Sequence, residues 1–225
     1  MSIARLMQMA AAGAKRPPEF VAFGTSTTSS NDVIITVPTH TEGDLLLVRV
    51  STRDNGGQTW ATPAGWTALA IGNSPVTSTN TDPGVFWKIA GASEPATVTF
   101  TVTSAKAPMG GIMLSYSGAT TATLDTITSY GGNPVSAINT ATAISTGEVL
   151  VCMAAMYTGS NTSVFEITDG TTAGSERVEN VYIDGANRLT IMATDFSDTA
   201  VTTTSVTTAT YTDIKEYAVT NVILS

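Results

Sequence analysis

Gly43-Asp44-Leu45-Leu46-Leu47-Val48 recurs as Gly147-Glu148-Val149-Leu150-Val151-Cys152, 104 residues further along the chain (147 minus 43). Each copy is a glycine, an acid and then an unbroken apolar run. A short run of this kind behind a turn signal reads as a strand buried on both faces. A second pair keeps the offset: Ala96-Thr97-Val98-Thr99-Phe100-Thr101 against Ala200-Val201-Thr202-Thr203-Thr204-Ser205. Each half closes on a long apolar strand, Ile112-Met113-Leu114-Ser115-Tyr116 in the first and Val219-Thr220-Asn221-Val222-Ile223-Leu224 in the second. The chain therefore carries two pseudo-repeats, about 19–118 and 124–225.

Working outward, the period-two pattern predicts strands at 20–27, 32–37, 44–52, 66–72, 84–90, 96–103 and 110–117. A second series follows at 137–144, 148–157, 163–168, 176–183, 188–196, 200–208 and 215–224. Gly, Pro and Asn punctuate them every 8–14 residues, the signature of a sandwich or barrel. Nothing alternates helix with strand as a parallel α/β fold does. The fold class is all-β, an antiparallel β-sandwich, jelly-roll-like, with pseudo-duplicated halves. Two similar halves are either tandem domains or the two Greek-key halves of one jelly roll. No Pro/Gly-rich linker separates them, segment 118–136 reads as a crossing loop, and seven short strands are thin for a separate core. These points favour one sandwich over 19–225.

Composition agrees. Apolar residues are 42% and charged residues only 12%, the reverse of a disordered chain. About 40 threonines suit the solvent face of strands, where a β-branched hydroxyl fits the pleat and still meets water. The formal net charge is −8, and Lys15-Arg16 is the only dense basic spot, which reads as a linker. That balance argues against nucleic acid and against anionic membranes as partners. No apolar run approaches the ~20 residues of a membrane helix.

Residues 1–18 form a separate arm. Ile3, Leu6, Met7 and Ala10 make one helical stripe, with Ser2 to cap its start and Gly13 at its end. Arg5 and Gln8 interrupt the stretch too early for a secretory h-region. So short a helix is marginal alone in water: it is either a frayed tail or a segment that orders by docking the Ile3, Leu6, Met7 and Ala10 face on its own body or on a partner. Pro17-Pro18 then forms a stiff spacer to the body.

Chemistry is sparse. His40, the one histidine, sits in a turn after Pro38, and no Gly-x-Ser-x-Gly elbow accompanies it. Cys152 lies inside an apolar run and reads as a buried hydrophobe. Carboxylates able to pair for glycoside hydrolysis are Asp44, Asp54, Asp82, Glu94, Asp125, Glu148 and Asp184, most of them where turn chemistry alone would place an acid. Asp44 and Glu148 hold the same place in the two repeats, which favours a structural role. Asp54-Asn55-Gly56-Gly57 and Asn80-Thr81-Asp82 offer oxygen ligands for calcium but read first as turns. The reading is no catalytic residue, no cofactor and no metal. Trp60 and Trp66 flank a Pro/Gly loop; the plain reading packs Trp66 beneath it, the sharper one exposes Trp60 and Trp66 to host glycan or protein. Trp87 alternates with core positions and reads as buried.

Gly43-Asp44-Leu45-Leu46-Leu47-Val48, Pro63-Ala64-Gly65-Trp66-Thr67, Phe86-Trp87-Lys88-Ile89-Ala90, Ser93-Glu94-Pro95, Val98-Thr99-Phe100-Thr101 and Tyr116-Ser117-Gly118 together resemble a β-sandwich module common in phage virion proteins, over about half the chain. Related modules occur in bacterial surface proteins. The opening Met1-Ser2-Ile3-Ala4-Arg5-Leu6-Met7-Gln8-Met9-Ala10-Ala11-Ala12-Gly13 is similar to the N-terminus shared by many otherwise different structural proteins of cyanophages and other marine phages. A common head on different bodies implies an attachment tag. The resemblance implies a non-enzymatic virion protein on the particle surface. The leading expectation is a trimeric capsid decoration (cement) protein whose partners are the major capsid protein or other virion proteins. The rivals are a tail or head-fibre component that binds host glycan, and a carbohydrate-binding module.

Overall fold

The computed structural model describes residues 16–53, 57–72, 81–104, 108–131, 137–140, 144–158, 164–168, 175–185, 187–197, 204–209 and 214–225. The docking arm Ile3, Leu6, Met7 and Ala10 lies outside them, as do Asp54, Asn55 and Asn80 of the calcium reading.

The described first half contains β1 (Glu19–Ser29), β2 (Asp32–Thr36), β3 (Leu45–Arg53), β4 (Thr67–Ile71), β5 (Thr81–Ile89), β6 (Thr97–Thr101) and β7 (Met109–Ser117). They form one antiparallel sheet ordered β4-β5-β3-β7-β1-β2-β6. The second half contains β8 (Ala122–Gly131), β9 (Ala137–Thr140), β10 (Val149–Thr158), β11 (Val164–Thr168), β12 (Ser175–Asp184), β13 (Asn187–Ser197), β14 (Thr204–Ala209) and β15 (Ile214–Leu224). These make a five-stranded sheet, β12-β13-β10-β15-β8, and a three-stranded one, β11-β14-β9. The fold is an all-β antiparallel sandwich.

Written side by side, the two halves have one ladder order. β4-β5-β3-β7-β1 corresponds to β12-β13-β10-β15-β8, and β2-β6 to β9-β14. Even β11, which pairs with β14, has its counterpart in the bridge from Trp60 to Val102 at the end of β6. The correspondence is not a constant shift. Thr36 pairs with Thr97, and Thr140 pairs with Thr204, so Thr204 and not Val201 takes the ladder place of Thr97.

The apolar runs are continuous because their strands face a core on each side. Leu45 and Leu47 of β3 join Ile112, Leu114 and Tyr116 of β7 in a cluster shared with Val149, Val151, Met153 and Ala155 of β10. This cluster lies between the two large sheets. The alternate residues Leu46, Val48 and Val50 pack with Val33, Ile35, Trp60 and Phe100 in a core belonging to the first half. Leu150, Cys152, Ala154 and Met156 do the same in the second. Burying each such side chain stabilises the fold by about 1.5–3 kcal/mol.

One strand departs from the sequence reading. Segment 118–136, expected as a crossing loop, contains β8, paired with β15 along nearly its whole length. The ladder slips between Asn221 and Val222, so that Asp125 bulges out between Leu124 and Thr126. A bulge breaks the period-two pattern on which the strand signal depends.

Candidate functional site

The two tryptophans offered as a contact surface are inside the protein. Trp60 is 1% exposed, Trp66 9%, and both belong to the first-half core. Trp60 Nε1 donates to the carbonyl of Asp82 at 3.0 Å. Its ring fits because Gly84 lies opposite: a Cβ there would come within 2.8 Å of it. Trp66 stands edge-on to Phe100 at 5.4 Å, with the Lys88 ammonium 6.0 Å above its ring. Neither ring is open for a sugar to stack on, so the exposed reading of Trp60 and Trp66 is corrected. Bridges to Gly72 and Val102, invisible to local turn signals, draw the loop inward. Trp87 is half-buried against the shared cluster.

The candidate carboxylates are distributed, and Asp44, Asp82, Glu94 and Glu148 hold backbone. Asp44 Oδ2 accepts the N–H of Thr41 at 2.7 Å, and Glu148 Oε2 accepts the N–H of Ser145 at 2.7 Å. The return bonds, Asp44 N–H to Thr41 O and Glu148 N–H to Ser145 O, are both 3.1 Å. Gly43 and Gly147 precede them with φ of 93° and 82°, a conformation that favours glycine. The recurring Gly-acid pair is thus one turn built twice. Glu94 closes another: it accepts Gly91 N–H at 2.7 Å and pairs with Lys88 at 2.8 Å. Burial pushes the Glu94 carboxyl up, but its bonds to Lys88 and Gly91 outweigh this and hold it below its usual range. Asp82 is buried and accepts Gln58 N–H at 3.2 Å, while Asp125 and Asp184 are exposed. Asp54 lies outside the described residues. No three acid, His or Cys side chains group as a metal site among the described residues.

His40 Nδ1 meets Pro38 O at 2.7 Å, within its own turn. Burial pushes the Cys152 thiol up to about 12, which keeps it from the thiolate form a nucleophile needs.

The residues that resemble chemistry are instead fasteners between the halves. Arg49, wholly buried at the middle of β3, donates through Nη1 to Met153 O at 3.2 Å and to Thr220 Oγ1, and through Nη2 to Ala218 O at 3.1 Å. Burial pushes its guanidinium down to about 9, so it stays charged at neutral pH. A second fastener is the buried Tyr116 hydroxyl, which donates to Asp195 Oδ2 at 3.1 Å; Arg177 Nε donates to the same oxygen at 2.8 Å. Burial first, then the Asp195 charge, raises the Tyr116 phenol well above its ordinary value. The third is Tyr182, whose hydroxyl donates to Gly111 O at 2.5 Å and accepts from Ser26 Oγ at 3.1 Å and Asn180 Nδ2 at 3.0 Å. None of these was singled out from sequence. The available signal was Arg49, a lone charge inside an apolar run.

Comparison with protein-family models, curated proteins and solved structures found no match.

Proposed function

We propose that this chain is a non-enzymatic structural component of a bacteriophage particle, a capsid decoration protein that stabilises the head by binding across capsomers. The observation that supports it best is the contrast between segment 1–16 and the body. Segment 1–16 carries Arg5, Lys15, Arg16 and an apolar stripe with no acid, while the rest of the chain holds all eighteen Asp and Glu. A basic, apolar head on an acidic, rigid body suits attachment by the head and display of the body. Such stabilisation needs buried area and no chemistry. It accords with the use of the described buried polar groups as turn closures and fasteners. An exterior of net charge −8 keeps displayed copies dispersed. The glycan-binding alternatives lose their platform with Trp60 and Trp66 in the core.

The test is co-sedimentation of the full chain, and of a chain lacking residues 1–18, with heads of the phage that encodes it. Binding at hundreds of copies by the full chain alone supports decoration through the head segment. Association of neither form with heads sinks decoration and directs attention to tails. Sedimentation equilibrium of the free chain reads the expected trimer directly.

A further inference from the structure

Two open strand edges lie over one another on a single flank. β1 pairs with β7 through Glu19–Thr25, but its other neighbour, β2, takes only Ser26–Ser29. β12 is the last strand of its sheet. The two are held together by Ser26 Oγ on the Tyr182 hydroxyl and by the Arg177 guanidinium 4.8 Å over the Phe20 ring. An unpaired edge is a template for another segment, and natural sheets rarely leave one bare.

This flank is apolar and acidic at once. Its strands carry Val21 (41% exposed) and Phe23 (48%) on β1, and Val181 (39%) and Ile183 (62%) on β12, the latter two paired with Thr190 and Arg188 on the outer face of their sheet. Val181 and Ile183 border a cleft of about 400 Å³ with Thr28, Pro108, Met109 and Asp184. Glu19, Glu176, Glu179 and Asp184 are exposed along the same two strands. Burial, then the nearby Glu176 charge, raises the Glu179 carboxyl. Arg177 on this flank is already engaged by Asp195.

We propose that residues 1–15 of the same chain dock on this β1/β12 flank. Three observations choose that occupant. The segment is complementary: Ile3, Leu6, Met7 and Ala10 against the exposed apolar residues, Arg5 and Lys15 against the carboxylates. It joins the body at Arg16-Pro17, beside Glu19 where β1 starts, so it is tethered to the flank it would cover. It is also long enough, since fifteen residues reach at most about 50 Å and the ten of β12 span about 33 Å. A tether of this length supplies an effective concentration on the order of millimolar. A second copy fits less well, because it would bring a like acidic flank against this one. The inference concerns the free chain and stands apart from the particle reading; capsid binding by the same segment would compete with it.

Disulfide trapping tests it in the full chain on a Cys152→Ala background. Met7→Cys with Ile183→Cys should close an intramolecular bond at least about tenfold faster than Met7→Cys with Ile71→Cys, at the far edge of the first sheet. Glu176→Lys with Glu179→Lys should slow that closure several-fold. Equal rates at the two edges, or bonds formed mainly between chains, overturn the proposal. A second readout needs no change in the body: Arg5→Glu with Lys15→Glu should speed amide exchange several-fold in β12 and in Glu19–Thr25 relative to the unaltered chain. Unchanged exchange there overturns it equally.

Discussion

Replacing Arg49 by methionine should leave the protein as stable as before or make it more so. Arg49 is a full charge between two sheets, and among the described residues no carboxylate touches its guanidinium; its bonds run to two carbonyls and a hydroxyl. The distance from 12.5 to about 9, at roughly 1.36 kcal/mol per pH unit, sets the cost of keeping it charged there at about 5 kcal/mol as an upper bound. Against that stand three hydrogen bonds which, coming from a charged donor, are each about 1.5–3 kcal/mol net, a gain of the same order as the cost. Met153 and Ala218 lie in paired stretches of β10 and β15, so their carbonyls are placed for ladder bonding without the arginine. Methionine keeps most of the buried stem, and it is what the second repeat already carries at the place of Arg49, 104 residues on at Met153. Exchanging a buried ionic group for an apolar one of similar volume is commonly neutral or stabilising by about 1–4 kcal/mol. Thermal unfolding of Arg49→Met should therefore be unchanged or higher, at about 2–4 °C per kcal/mol for a chain of this size. Arg49→Ala, which leaves a cavity, should lose about 2–5 kcal/mol. A loss above about 2 kcal/mol in Arg49→Met would refute the reasoning and show that the bonds across the sheets outweigh desolvation.

Three further predictions address other fasteners. A Cβ on Gly110 would lie 2.3 Å from the Tyr182 ring, so Gly110→Ala should destabilise by about 1–3 kcal/mol. Denaturant titration should show part of that loss recovered when Tyr182→Leu is added. Asp44→Ala and Glu148→Ala each remove one turn-closing bond and should each cost about 1–2 kcal/mol. In the double variant the costs should sum, because the turns are separate; strong coupling would contradict two independent copies of one turn. Glu94 has a folded pKa below its unfolded value, so its stabilisation is present above the ordinary carboxyl range and is lost as pH falls through the folded value. Glu94→Gln should therefore be less stable than the unaltered chain at pH 7, and the gap should close as pH falls through the folded value. A gap independent of pH would locate the effect in packing.

What the sequence made legible was what repeats or alternates. β3 and β10 are visible as apolar runs because both faces of each strand are covered, so every residue carries the signal. The Gly-acid turns are visible because a positive φ and a backbone-accepting carboxylate restrict the residue types. β8 was hidden by one bulged residue, Asp125, which shifts Thr126 out of the alternation begun at Leu124. Trp60 was misplaced because its burial depends on Gly84 and Val102, residues 24 and 42 positions away that no local pattern connects to it. The fasteners were illegible for the same reason. Tyr116 and Asp195 are 79 residues apart, and Ser26 and Tyr182 are 156 apart. Each reads singly as an ordinary surface or core residue until the sheets are laid face to face.

The placement of these fasteners bears on function. The hydrophobic effect that joins two sheets is non-directional, so polar contacts between them add orientation to it. Here the contact is apolar at its centre, where Leu47, Leu114 and Val151 meet, and it is crossed by Arg49, Tyr116 with Asp195, and Tyr182 with Gly111. Directional bonds at three separated points define how the sheets are set against each other, even where their net energy is small. This protein places Arg49, Tyr116 and Asp195 inside, each directed at the opposite half. An interior arranged in this way holds the two halves in one setting, which is what the proposed role of a body displayed on a particle asks of it.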